Sequence, residues 1–195
     1  MPMPTVLLVT LALLALATVA VAEGLFEDFP LVKKPRGIRG YRSMMGDFAQ
    51  LRDGSLLFSY TDNDIMVIRS TDQGRTWGPP QVLVKCPQPP LKGYIAHPGF
   101  LRAPGGDLLL SYIWTTHPTT PYFGHNYLRR SSDEGQTWSD PYCYTPYPGY
   151  VPVHNDRLHV LSGGRIIATA EHKAYLPSSD DHSGYVSMTF FSDDD

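Results

Sequence analysis

Two octapeptides, STDQGRTW at residues 70–77 and SSDEGQTW at residues 131–138, share the pattern Ser-x-Asp-x-Gly-x-Thr-Trp and stand 61 residues apart. The same interval carried forward from Asp133 reaches Asp194, and Ser192 then falls where Ser70 and Ser131 fall. Residues 192–195 therefore read as the opening of a third copy, truncated before its Gly and Trp. A fixed period of this length restricts the chain to an array of like units, none of which can bury its apolar face alone.

The unit is longer than the octapeptide. Upstream of the copies run FAQLRDGSLLFSY from Phe48, GFLRAPGGDLLLSY from Gly99 and RLHVLSGGRIIATA from Arg157. Each is an apolar run, a Gly-containing turn and a second apolar run, which is the pattern of a β-hairpin. Immediately before the octapeptides lie DIMVIRS, HNYLRRS and YVSMTFFS, and QVLVKC follows the first copy at 81–86. Four strands per repeat predict propeller blades, whereas a plain sandwich requires no fixed period. The 12 Tyr, 17 Gly and 18 Pro suit short strands joined by tight turns.

Within the octapeptides the chemistry reads as structural. Asp72 and Asp133 can accept N–H groups of their own turn, with Ser70 and Ser131 assisting. Gly74 and Gly135 suit a positive φ, and Trp77 and Trp138 offer large aromatic area to hold the turn against its blade. Asp194 is expected to build the corresponding third turn.

The run Val6 to Ala22 is almost continuously apolar and ends in Ala20-Val21-Ala22. It predicts a signal peptide over 1–22, cleavage near Ala22 and export, with a lead-in at 23–40 and the propeller over 41–195. A membrane anchor would call for basic flanks, which MPMPT lacks, so no stable span is expected after cleavage. The net charge of −3 and scattered Lys and Arg exclude the basic stripe that nucleic acid requires. Cys86 and Cys143 could pair in an exported protein or stay as two small unpaired residues. No Cys or His spacing matches a metal motif, and no metal or cofactor is expected.

The octapeptides resemble the Asp-boxes, or BNR repeats, of the sialidase (neuraminidase) superfamily, over roughly residues 40 to 195. The resemblance implies an all-β, six-bladed β-propeller, usually exported, of which this chain supplies about three blades from the N-terminal half. The octapeptides are then the turns between the third and fourth strands of each blade. They lie opposite the face that carries the starts of the first strands and the loops between the second and third.

Aligning Gly54, Gly106 and Gly164 lets that opposite face be read. First-strand starts offer Arg42, Asp47, His97, His154, Asp156 and Arg157. The loops offer Asp62, Asp64, Trp114, His117, Tyr122, His125, Glu171, His172 and Asp180. Such a collection predicts a polar pocket at the propeller centre. The resemblance implies retaining glycosidase chemistry, with a Tyr nucleophile activated by a Glu, arginines gripping a sugar carboxylate, and an acid/base Asp on the first blade's loop. It makes Asp62 and Asp64 the acid/base candidates and leaves the Tyr, the Glu and two arginines to later blades. Arg42, Asp47, His97, Trp114, Asp156, Arg157 and His172 are candidate substrate-binding residues, and Asn155-Asp156-Arg157 is similar to a strand start in exported BNR proteins. The expected function is release of terminal sialic acid or a related acidic sugar from glycoconjugates, so the expected partner is a glycan. A non-catalytic carbohydrate- or protein-binding propeller, or another glycosidase or lyase on this frame, is the alternative.

Overall fold

The computed structural model describes residues 30–32, 46–87, 93–116, 123–154, 156–173 and 184–194. The chain divides into two units, 1–34 and 35–195. Of the first, only residues 30–32 are described, without regular structure. The proposed signal stretch, Arg42, His117, Tyr122, Asn155 and Asp180 lie outside the described residues.

The second unit is all-β in its described residues. Alternating apolar runs punctuated by Gly turns give β1 (Asp47–Gln50), β2 (Leu56–Asp62), β3 (Asp64–Ser70) and β4 (Gln81–Val84). The next repeat gives β5 (Gly93–Arg102), β6 (Leu108–Thr116), β7 (Gly124–Ser131) and β8 (Tyr142–Cys143). The third gives β9 (Leu158–Val160), β10 (Ile166–His172) and β11 (Val186–Ser192). They form three antiparallel sheets, ordered β1-β2-β3-β4, β5-β6-β7-β8 and β9-β10-β11. Strand β5 lies against β1, β2 and β3 of the first sheet and against β9 of the third. Successive meanders, of four, four and three strands among the described residues, whose leading strands neighbour one another are propeller blades.

The turn between first and second strands is made alike in each blade. Gly54, Gly106 and Gly164 take φ of 84°, 99° and 87°. Their amides donate to Leu51, Ala103 and Leu161 carbonyls at 2.9, 2.9 and 2.8 Å.

The two octapeptides fold identically. Ser70 Oγ donates to Asp72 Oδ1 (2.8 Å) and accepts the Gly74 N–H (2.8 Å). Asp72 in turn accepts the Thr76 N–H (2.8 Å) and the Thr76 hydroxyl (2.6 Å). Ser131, Asp133, Gly135 and Thr137 repeat this set at 2.8, 2.8, 2.8 and 2.5 Å. Each indole N–H closes its turn on the Gly carbonyl, Trp77 at 3.0 Å and Trp138 at 3.2 Å.

The second octapeptide also staples two blades. Glu134 accepts two bonds from the Arg102 guanidinium (2.7 and 2.9 Å), and Arg52 of the first blade reaches it with its backbone N–H (2.9 Å) and its guanidinium (3.2 Å). Arg69 donates to the Glu134 carbonyl at 3.1 Å. Behind this polar rim the inter-sheet core packs Ala49, Leu51, Leu57 and Ile65 against Ile95, Phe100, Leu108, Leu110 and Tyr112, with Trp138 leaning on it. A smaller core of Val151, Val153, Ala168 and Ala170 joins the second and third sheets. Neither Cys86 nor Cys143 is in a disulfide, so of the two alternatives the one without a Cys86–Cys143 bond holds.

The third blade departs from expectation. The sequence places its first-strand start at His154, Asp156 and Arg157, but regular pairing begins only at Leu158. Residues 150–153 instead bond to two sheets at once: Val151 N–H to Gly124 O, and Tyr150 and Lys173 to each other, all at 2.9 Å. Pro152 has no N–H to donate, and Asp156 takes φ 55°, which breaks the extended run.

Two outcomes follow for stability. Thr76 and Thr137, through hydroxyl and amide, hold the Asp72 and Asp133 carboxyls at about 2, against the ordinary 3.8. A folded-state pKa lowered in this way adds stability that is present above the unfolded value and is lost as pH falls through the folded one. The urea midpoint should therefore drop between about pH 4 and about pH 2, and Asp72→Asn with Asp133→Asn should flatten that drop. Second, a Cβ at Gly54 would meet nothing within 4 Å, whereas one at Gly135 would lie 2.9 Å from Leu57 Cδ1. Gly54→Ala should cost about 1 kcal/mol and Gly135→Ala about twice that, read from urea denaturation.

Candidate functional site

The ends of the sheets opposite the octapeptides carry Asp47, Asp62 and Asp64, the start of β5, and His154 and Asp156. Asp47 begins β1 and joins two blades. Its Oδ1 accepts the Phe48 N–H and its Oδ2 accepts the Phe100 N–H of the second blade, both at 2.7 Å. Burial raises the Asp47 pKa, the two N–H groups oppose that, and the nearby Asp156 charge adds to it.

Three residues before Phe100, β5 is interrupted. Ala96 pairs with Ile113 but Gly99 pairs with Ser111, so His97 and Pro98 together face one residue, Tyr112. This is a β-bulge, a device that re-aims a side chain and often lies beside a functional site. His97 has φ 55°, uncommon for a residue with a side chain and more so before proline. The buried His97 ring meets His154 edge to face, with centroids 4.9 Å apart. Beyond His154, Asp156 is exposed, and the half-buried Arg157 guanidinium forms no hydrogen bond or ion pair among the described residues.

The two acid/base candidates are separated by one residue. Asn63, at φ 61°, turns the chain so tightly that Asp62 and Asp64 face each other across the hairpin. Asp64 Oδ1 accepts the Cys86 N–H at 2.8 Å and so fastens the segment after β4 to the head of β3. Asp62 is the exposed one of the pair.

Two other sequence candidates lie in different settings. Trp114 packs against the first inter-sheet core, its indole N–H buried without a partner among the described residues. With Lys85, Pro87, Tyr112 and Tyr127 it lines a cavity of about 230 Å³. His172 bonds the Pro148 carbonyl at 3.0 Å and meets the Tyr147 ring at 5.9 Å, while His125 bonds the Tyr147 carbonyl at 2.9 Å. A carbonyl only accepts, so both imidazoles donate from Nε2 and hold the 147–148 loop.

Sequence reasoning passed over Asn126. It is fully buried; its N–H and its side-chain amide bond Thr145 Oγ1 at 2.8 and 3.2 Å, the same amide donates to Val151 O, and its Oδ1 accepts the Val153 N–H at 3.1 Å. Thus one amide positions the segment that leads to His154. The signal was available: counted back from the octapeptide glycine, Asn126 occupies the position of Ile65 in the first repeat. Lys173 was also missed; it is buried, and its ammonium lies 5.0 Å above the Tyr185 ring.

A set of propeller blades with its polar, strained residues at one end and repeated turns at the other defines the class of protein. Residues 59–195 match the BNR repeat-like domain, and the chain belongs to that family. No curated protein sequence matches the chain. Among solved structures, a polysaccharide lyase, the PL25 ulvan lyase, superposes with a TM-score of 0.55 at 10% identity, over 76% of this chain and 41% of that one. The same lyase bound to -[GlcA(1-4)Rha3S]- superposes equally well. An alpha-L-arabinanase of Penicillium chrysogenum complexed with arabinobiose gives 0.47 at 19% identity, over 76% and 46% of the two chains. The NanB sialidase of Streptococcus pneumoniae gives 0.47 at 10%, over 76% and 44%. The chain therefore spans less than half the length of these structures. No helix among the described residues is long and apolar enough to cross a membrane.

Replacing Asn126 by Leu removes every one of those side-chain bonds while keeping the volume similar, and should cost about 2–4 kcal/mol in urea denaturation. Loosening of 151–154 by hydrogen exchange should accompany it, with the octapeptide amides unaffected.

Proposed function

We propose that the protein is an exported, sialidase-like glycosidase acting on terminal acidic sugars of glycoconjugates. The observation that carries this reading is the gathering of Asp47, the bulged His97, His154 and the Asp156-Arg157 pair where the leading strands of three blades begin. In this reading Arg157, whose guanidinium is not engaged by the described residues, grips the sugar carboxylate through two parallel N–H bonds. Asp156 and the His97–His154 pair shape the polar wall around it. Asp62 serves as acid/base, because Asp64 is committed to the Cys86 amide while Asp62 is exposed at the same end of the blade.

A second reading has one specific observation in its favour. Two imidazoles meet edge to face at the start of the leading strands, and the fold is shared with a polysaccharide lyase whose bound saccharide contains glucuronic acid. If His97 took the proton α to a uronate carboxylate while the C4–O glycosidic bond broke and the departing sugar oxygen was protonated, a C4=C5 double bond would form, which is elimination and not hydrolysis.

Assays on the whole protein separate the readings. Hydrolysis of a fluorogenic sialoside is expected, and Asp62→Ala should lower kcat/KM by about 10²–10⁴-fold. Asp64→Ala should act on stability instead. An unsaturated uronate product from a glucuronate-containing polysaccharide, abolished by His97→Ala, would replace hydrolysis with elimination. Glycan binding without either product would leave a binding propeller.

A further inference from the structure

Between the first and second sheets, where the segment after β4 passes β6 and β7, lies the cavity of about 230 Å³ that Trp114 lines. That is smaller than the sites of drug-sized ligands and has room for one ring with a short arm. Exposure shows which way it opens. Ile95 and Tyr112 are buried, Trp114 and Tyr127 are half-buried, and Lys85 and Pro141 are exposed at the mouth. The Tyr112 and Tyr127 rings lie nearly parallel, with centroids 5.9 Å apart and 21° between their planes. The Trp114 indole N–H is buried, so the surface which that residue gives to the cavity is ring carbon.

Blade packing does not demand these aromatics. Counted from the glycine of the first turn, Trp114 holds the place of Asp62 in the first repeat and of His172 in the third. Counted back from the octapeptide serine, Tyr127 holds the place of Met66 and of Met188. The second repeat alone makes both places aromatic, and both line this one cavity.

The walls decide what chemistry fits. Rings and aliphatic side chains receive flat, apolar surface. Polar side-chain groups are few, because the Tyr112 hydroxyl is engaged by the Arg129 guanidinium, which leaves the Tyr127 hydroxyl and the Lys85 ammonium. A pyranose would bury several hydroxyls here without partners, which is costly; an aryl ring has none to bury. No carboxylate belongs to the lining, and the Lys85 ammonium forms no hydrogen bond or ion pair among the described residues. Asp64, which fastens the same segment, is turned to the Cys86 amide. A flat apolar chamber therefore ends in one positive charge at its mouth.

We propose that this cavity binds an aryl carboxylate, with its ring on the faces of Tyr112, Trp114 and Tyr127 and its carboxylate on the Lys85 ammonium. Its occupation is independent of the proposed reaction.

The test titrates the full chain into 4-fluorophenylacetate and, separately, its neutral isostere 4-fluorophenylacetamide, followed by fluorine NMR. Saturable binding of the acid in the millimolar range or below is expected, with the amide about three- to fivefold weaker, as one solvent-exposed charge pair allows. Lys85→Gln, an exposed change that leaves the core alone, should erase that difference by weakening the acid and not the amide. Tyr127→Met, which installs the residue of the other two repeats, should weaken both probes about fivefold. A peptide ending in 4-fluorophenylalanine with a free carboxylate presents the same groups from a chain end. Tighter binding of it than of the free acid assigns the site to chain ends, and weaker binding assigns it to free acids. Equal binding of acid and amide, a Lys85→Gln protein that keeps their difference, no shift at millimolar probe, or displacement by glucuronate as readily as by phenylacetate would each overturn the proposal.

Discussion

The carboxylate of Asp133, holding the amide and hydroxyl of Thr137 while Ser131 holds Gly135, is the constraint on which the rest of the first two blades depends. It forces Glu134 to φ 60° and Gly135 to φ 80°, and that backbone aims two side chains at the neighbouring blade. One is Glu134, which gathers Arg52 and Arg102. The other is Trp138, which lies on the inter-sheet core. Their contributions differ in size. The ion pairs are solvent-accessible, with Arg52 59% exposed, and such pairs contribute between nothing and about 1 kcal/mol. Burying most of an indole contributes about 2–3 kcal/mol. The turn matters chiefly because it delivers the indole, and the guanidinium cluster fixes the register in which it is delivered.

The opposite ends of the sheets follow a different logic. There the backbone strain is not repeated from blade to blade: Asn63 turns the first hairpin, His97 sits in a bulge of the second, and Asp156 breaks the leading strand of the third. Each left-handed residue with a side chain costs on the order of 1–3 kcal/mol, and it persists only where its surroundings enforce it. For His97 the enforcing group is close by, since Asp47 ties β1 to the Phe100 amide just beyond the bulge. For the third blade it is Asn126, whose single amide is spent on Val151 and Val153.

This division explains what the sequence made legible. The strands DIMVIRS, HNYLRRS and YVSMTFFS coincide with β3, β7 and β11 to within a residue or two, because each is fixed by a local alternation and a local turn. The octapeptide bonds were equally readable, since every partner lies within four residues. The site was readable only as a collection of residues on one face. The engagement of Asp64 depends on Cys86, 22 residues away, and the setting of Trp114 depends on a core shared between two sheets. The bulge at His97 has no signature except the His-Pro pair itself, and His154 meets it from 57 residues away. Periodicity reports contacts within a repeat; it says nothing of pairings between repeats.

Asn126 shows how the repeat could have been used further. In the first blade the equivalent place is Ile65, fully buried and apolar, and there the following segment is fastened instead by the neighbouring Asp64, which accepts the Cys86 N–H. A substitution of Ile by Asn at a buried place is destabilising unless every polar atom finds a partner. Here they do, and the partners are the backbone groups of 151–153, which run through a region where Pro152 withholds one donor and no regular strand pairing is available. The polar residue is therefore tolerated because the third blade's leading strand is irregular, and that strand can be irregular because the polar residue holds it. The polar Asn126 at the place that Ile65 holds in the first repeat thus marks where one blade carries a segment of the next, and in this chain that segment leads to His154, Asp156 and Arg157.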